Sequence, residues 1–130
     1  MFGEIKWYKK ALHVTVKRKP ETDNEFNDFL VEWENMFAKI NYEFVMALNL
    51  RSMERITMTQ SLAFIKLFIR MLPVIRTYLS CTVVCLNDGL KEPSDMFLKL
   101  YNPSKPYYVC FSDDDFQATV KTHRRKLKAM

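Results

Sequence analysis

The stretch from Tyr42 to Leu50 limits this chain's options most. Phe44, Val45, Met46, Ala47 and Leu48 follow one another without a charge, so both alternating faces of a strand here are apolar. Such a strand belongs in the interior of a sheet covered on both sides. A long apolar helix follows at once, from about Met58 to Leu79. A covered strand feeding a buried helix is the middle of a layered α/β domain.

The totals agree with that reading. A chain of 130 residues, 48% hydrophobic with only 2 glycines, suits one domain with a real core, and residues 1–130 are read as a single unit. Gly3 and Gly89 are isolated, so neither GxGxxG nor GxxxxGK[ST] can be written, and nucleotide binding by those loops is excluded. The 3 cysteines, Cys81, Cys85 and Cys110, sit in apolar runs and are expected as buried, reduced thiols. No charged-then-apolar leader opens the chain, and Lys66, Arg70 and Arg76 interrupt its longest apolar stretch. An intracellular protein, or one carried by a particle assembled inside the cell, without a transmembrane segment, is the expectation.

Taken in order, Ile5 and Trp7 alternate with Lys6 and Tyr8, then Leu12, Val14 and Val16 with His13 and Thr15. This predicts a hairpin toward a sheet edge, stopped by Lys17-Arg18-Lys19-Pro20. Thr22 and Glu25 have capping-box spacing, and Phe26, Phe29, Leu30, Trp33, Phe37 and Ile40 form one helical stripe. Thr57 and Gln60 repeat the box before the long helix. Pro73 interrupts that helix, predicting a kink or break near Leu72. Cys81 to Leu86 reads as a buried strand, Pro93 to Tyr101 as a short helix ended by Asn102-Pro103, and Tyr107 to Phe111 as another buried strand. Ser112 then caps a last helix through Asp113, Asp114 and Asp115. The predicted order is ββαβαβαβα, a mixed five-stranded sheet with flanking helices.

This order, with a helix after Pro20-Glu21-Thr22, the Phe44-to-Leu50 strand and a strand at Val83-Val84, resembles the anti-sigma-factor antagonist (STAS) fold. Sec14-like lipid-binding domains share part of it, and compact stand-alone versions occur in protists and large DNA viruses. The resemblance implies a functional loop at Ile56-Thr57-Met58-Thr59-Gln60-Ser61, where the family carries a phosphorylatable serine beside Asp and Gly. Thr57, Thr59 and Ser61 are the matching hydroxyls; the Asp and the Gly are missing.

The residues themselves point away from catalysis. His13 and His123 are the only histidines, one in the first hairpin and one in the last helix, and no Ser/His/Asp or Cys/His set can be assembled. No metal or cofactor is expected. Asp113, Asp114 and Asp115 are explained by capping, and Cys81 with Cys85 lacks the second pair a zinc site needs.

Charge is the more suggestive feature. The formal net charge is +5, and residues 121–130 hold Lys121, Arg124, Arg125, Lys126 and Lys128 with no acid. With Phe116, Val120 and Leu127 docked and the basic side chains outward, this helix end suits an acidic protein surface, anionic lipid or nucleic acid. The expected function is a non-catalytic protein-interaction or assembly module, a small subunit of a larger complex. The alternatives are a phosphorylation-controlled STAS-type regulator and a Sec14-like lipid-binding module. Tyr101, Tyr107 and Tyr108, which flank the loop from Asn102 to Pro106, are expected in the core rather than stacked on a partner.

Overall fold

A computed structural model describes residues 3–18, 20–53, 57–92, 94–95 and 105–127. Within them run β1 (Gly3–Tyr8), β2 (Ala11–Val16), α1 (Asp23–Ala38), β3 (Phe44–Asn49), α2 (Met58–Arg70), α3 (Leu72–Tyr78), β4 (Leu79–Cys85), a 3-10 turn (Asp88–Leu90), β5 (Tyr107–Cys110) and α4 (Asp113–Arg125). The five strands form one mixed sheet in chain order, β1-β2-β3-β4-β5. Only β1 and β2 are antiparallel; the other neighbours are parallel. The expected α/β class and five-stranded mixed sheet are therefore what the chain adopts. The predicted helix from Pro93 to Tyr101 and its Asn102-Pro103 stop fall mostly outside the described residues, as do Lys19, residues 54–56 and Lys128.

The pleat sends alternate side chains to opposite faces, and the two faces are covered differently. Leu12, Val14, Val16, Phe44, Met46, Leu48 and Val84 point into a core shared with α1, α2 and α3. Trp33 lies at its centre. Its ring stacks on Phe37 at 6.0 Å and meets Phe64 and Phe68 edge-on at 5.9 and 5.4 Å, so one indole ties α1 to α2. Gly3 is needed where β1 meets α1, because a Cβ there would come within 2.6 Å of the Phe29 ring. On the opposite face Ala11, Val45, Ala47, Cys81, Val83, Cys85 and Cys110 meet Phe116 and Val120 of α4.

Local chemistry explains the element ends. Thr57 Oγ1 accepts from the Gln60 N–H at 3.1 Å and Gln60 Oε1 accepts from the Thr57 N–H at 3.0 Å, a complete capping box. The box expected at Thr22 forms only by half. Thr22 Oγ1 accepts from the Glu25 N–H, but the Glu25 carboxylate turns away to the Arg18 guanidinium at 2.8 Å and to the Glu21 N–H. A bidentate charged partner outcompetes the backbone donor. Pro73 does break the long helix: α2 ends at Arg70, α3 starts at Leu72, and their axes turn by 64°. Among the described residues no single helix is long and apolar enough to cross a membrane.

One predicted burial is wrong. β5 is the sheet's outer strand rather than a buried one, and Tyr108, Val109 and Phe111 are exposed. Its apolar sequence looks like an interior strand, but the chain places no described strand beyond it.

Candidate functional site

The register defines rows of side chains across the α4 face. Lys6, His13, Ala47, Val83 and Tyr108 make one row; Tyr8, Ala11, Val45 and Cys81 make the next; Glu4, Thr15, Asn49, Cys85 and Cys110 make the third. α4 packs on β3, β4 and β5. Ser112 Oγ accepts from the Asp115 N–H at its start, and its Phe116 and Val120 are buried against the sheet. A helix is about 10 Å wide and neighbouring strands lie about 4.8 Å apart, so one helix covers two or three strands. Among the described residues no helix lies over the β1–β2 half of this face beside it.

That open half is basic and aromatic. Tyr8 is 53% exposed. Arg124 reaches from α4 to place its guanidinium carbon 5.7 Å from the Tyr8 ring centre, and Lys9 sets its Nζ 5.3 Å from the same ring. His13 stands beside the tyrosine, with ring centres 6.4 Å apart, and directly across from Lys6 in the strand pair. His13 Nε2 is buried and makes no hydrogen bond among the described residues. Burial first, then the Arg124 and Lys6 charges, hold its imidazole below the usual 6.5. The one acid in these rows, Glu4, is engaged by Lys17 at 3.2 Å and Lys6 at 3.8 Å.

The turn feeding this site is strained. Lys9 and Lys10 both have positive φ, 47° and 66°, in a two-residue hairpin where glycine or asparagine is favoured. Lys9, held there, sets its ammonium near the Tyr8 ring, and such backbone strain persists where the surrounding structure imposes it.

The expected basic set separates in space. Arg124 does not point freely outward; it is half-buried over Tyr8. Lys121, Arg125 and Lys126 are exposed and have no acidic partner among the described residues, and Lys128 lies outside them. By helical spacing Lys121 falls on the same flank as Arg124, facing the open strands, whereas Lys126 falls on the β5 flank. The second histidine is on that flank too: His123 stacks on Tyr108 at 4.4 Å. Tyr108 is thus a surface residue, against the core placement expected of it; Tyr107 is partly buried, its phenol pushed up to about 12 mainly by burial. His13 and His123 stand on strands or flanks three strand spacings apart, about 14 Å.

The loop singled out by resemblance is built for capping. Thr57 is committed to Gln60, while Thr59 is exposed and Ser61 half-buried in the first turn of α2. At the same end of the sheet the Asn87 amide donates to the Arg51 and Met53 carbonyls at 2.8 and 3.0 Å, and the Arg51 N–H donates to Asn49 Oδ1. The polar groups there bind one another. The three thiols are free and buried, and burial pushes Cys81 and Cys85 up to about 11, far from a reactive thiolate. Among the described residues no three His, Cys, Asp or Glu side chains converge on a metal position.

Sequence reasoning found the basic helix end but missed Lys6, Tyr8, Lys9 and His13. The available signal was the polar alternation of the first hairpin, which marks a face that no helix needs to cover. Comparison with protein-family models, with curated proteins and with solved structures finds no match to this chain.

Proposed function

We propose that this chain is a non-catalytic interaction domain, a small component of a larger assembly that receives an acidic protein surface on the open β1–β2 half of its sheet. The observation that carries the reading is Arg124 of α4 lying over Tyr8 of β1, with Lys9 on the same ring and Lys121 on the same helix flank. Lys6 extends this surface, sharing the single acid Glu4 with the closer Lys17. Positive charge in excess of that one acid recruits an acidic partner and orients it.

The choice of protein over nucleic acid follows from the rings. Bases bind by stacking on uncovered aromatic faces. Here Tyr8 carries two cations and Tyr108 carries His123, so these two rings of the α4 face are already engaged.

Amine-reactive cross-linking in a gentle extract of the source, followed by native electrophoresis and peptide mapping, tests this. The expected result is migration well above 15.5 kDa with cross-links concentrated at Lys6, Lys9 and Lys121. Migration at monomer mass with no cross-linked partner overturns it.

A further inference from the structure

The open half-sheet has one feature that a simple basic patch lacks. A histidine sits among its cations: burial opposes its protonation most, and the two charges that add to that, Arg124 and Lys6, are ones a bound anion would offset. From β1 it faces Lys6 and the Tyr8 ring, from α4 Arg124, and from β3 the uncharged Ala47. Glu4, the nearest acid along β1, is held by Lys17 and Lys6. The Nε2 atom makes no hydrogen bond among the described residues, so taking a proton there breaks none.

We propose that Lys6, Tyr8, His13 and Arg124 form a carboxylate subsite for an acidic segment of the partner, and that His13 takes up a proton from solvent as the carboxylate enters. The inference rests on the acidic-partner reading and adds its regulation. A carboxylate between Lys6 and Arg124 offsets one of their two positive charges and adds an attraction of its own, so the cost of a third positive charge on His13 falls. By linkage, what favours protonation when the site is filled makes the filled site more favourable when protonated. Binding therefore strengthens as pH falls through the histidine range, opposite to an acidic partner that merely loses its own charge in acid. The strained Lys9–Lys10 turn fits this role, because it fixes the hairpin tip that brings Lys9 to the Tyr8 ring.

The chain's 2 histidines make the test direct. Proton NMR of the full chain follows both imidazoles through a pH titration at low salt, with and without a hexa-aspartate peptide. The peptide is expected to raise the His13 pKa by about one unit, equivalent to about tenfold tighter binding at the acid end, while moving His123 much less. His13→Gln is expected to bind the peptide with its pH dependence removed, and Arg124→Gln to weaken binding about tenfold at every pH. His123→Gln is expected to leave the pH dependence intact.

An unchanged His13 titration, or a His13→Gln variant that keeps the pH dependence, overturns the proton coupling. If partner cross-links at Lys6, Lys9 and Lys121 persist in that case, the acidic-partner reading stands without it. If the peptide does not bind and cross-links are also absent, both fall. Tighter binding of an oligothymidylate, displacing the peptide, assigns the surface to nucleic acid and overturns the proposal.

Discussion

The two faces of the sheet are finished in different ways. One is sealed by three helices, two of which interlock Phe26, Phe29, Trp33 and Phe37 with Phe64 and Phe68 over large apolar strand residues. The other is roofed, among the described residues, by α4, over small residues such as Ala11, Ala47 and Cys81, and its first two strands carry the exposed Lys6 and Tyr8 and the half-buried Glu4, His13 and Thr15. Aromatic bulk fixes the first face as a foundation. Small side chains under one helix, with a polar half left bare, make the second a place where another molecule can sit.

The contrast is most exposed to core truncation. Trp33→Ala is expected to destabilise by about 4 kcal/mol and Phe116→Ala by about 3 kcal/mol in urea unfolding. The first should unfold the whole domain, whereas the second should loosen α4 first, seen as early loss of amide protection in residues 113–125. Equal, global loss in both would erase the distinction. A smaller effect is expected at Thr57→Ala, which removes a complete capping box and should cost about 1 kcal/mol. Paired replacement of Lys9 by Asn and Lys10 by Gly relieves two positive-φ residues and should stabilise by about 0.5–1 kcal/mol, while weakening retention of acidic partners. A turn variant that gains stability and keeps full partner binding would separate the hairpin tip from the site.

The pH response divides along the same line. His13 and His123, both on the α4 face, are held below their ordinary 6.5, so the folded chain binds fewer protons there than the unfolded chain. Their penalty is absent above about pH 6.5 and grows as pH falls through that value. Glu25, at the start of α1, is held below its ordinary 4.5 first by the Arg18 hydrogen bonds, so its stabilisation is present above that value and is lost at lower pH. Melting curves across pH should thus show a small loss removed by His13→Gln with His123→Gln, and a separate one at stronger acid removed by Glu25→Gln. A single step that neither change touches would break the assignment.

Much of this architecture could be read from local pattern. The stripe from Phe26 to Ile40 is legible because every member faces the same neighbour, and the break at Pro73 because the ring forbids a helix hydrogen bond wherever the tertiary structure puts it. What escaped depends on distant elements. Glu25 has the right spacing for a box, but only the fold brings Arg18 within reach. Tyr107 to Cys110 is apolar enough for an interior strand, and its edge position follows from strand order rather than composition. Likewise Tyr8 and Arg124 are separated by almost the whole chain. Periodicity reports which face of an element is apolar, but not how far a single helix extends over the sheet beneath it.

The chain-order sheet also carries a consequence for synthesis. Each strand pairs with the one made just before it, so the sheet can extend at one edge as the polypeptide leaves the ribosome, without waiting for a distant partner. The three helices of the aromatic face arrive between strands and can close it in step. The other face has no such cover until translation reaches Phe116 and Val120. Throughout that interval Val45, Ala47, Cys81 and Val83 lack their roof, and it is this late-arriving helix, bearing Arg124, that completes both the core and the cation–aromatic cluster over Tyr8 in one event.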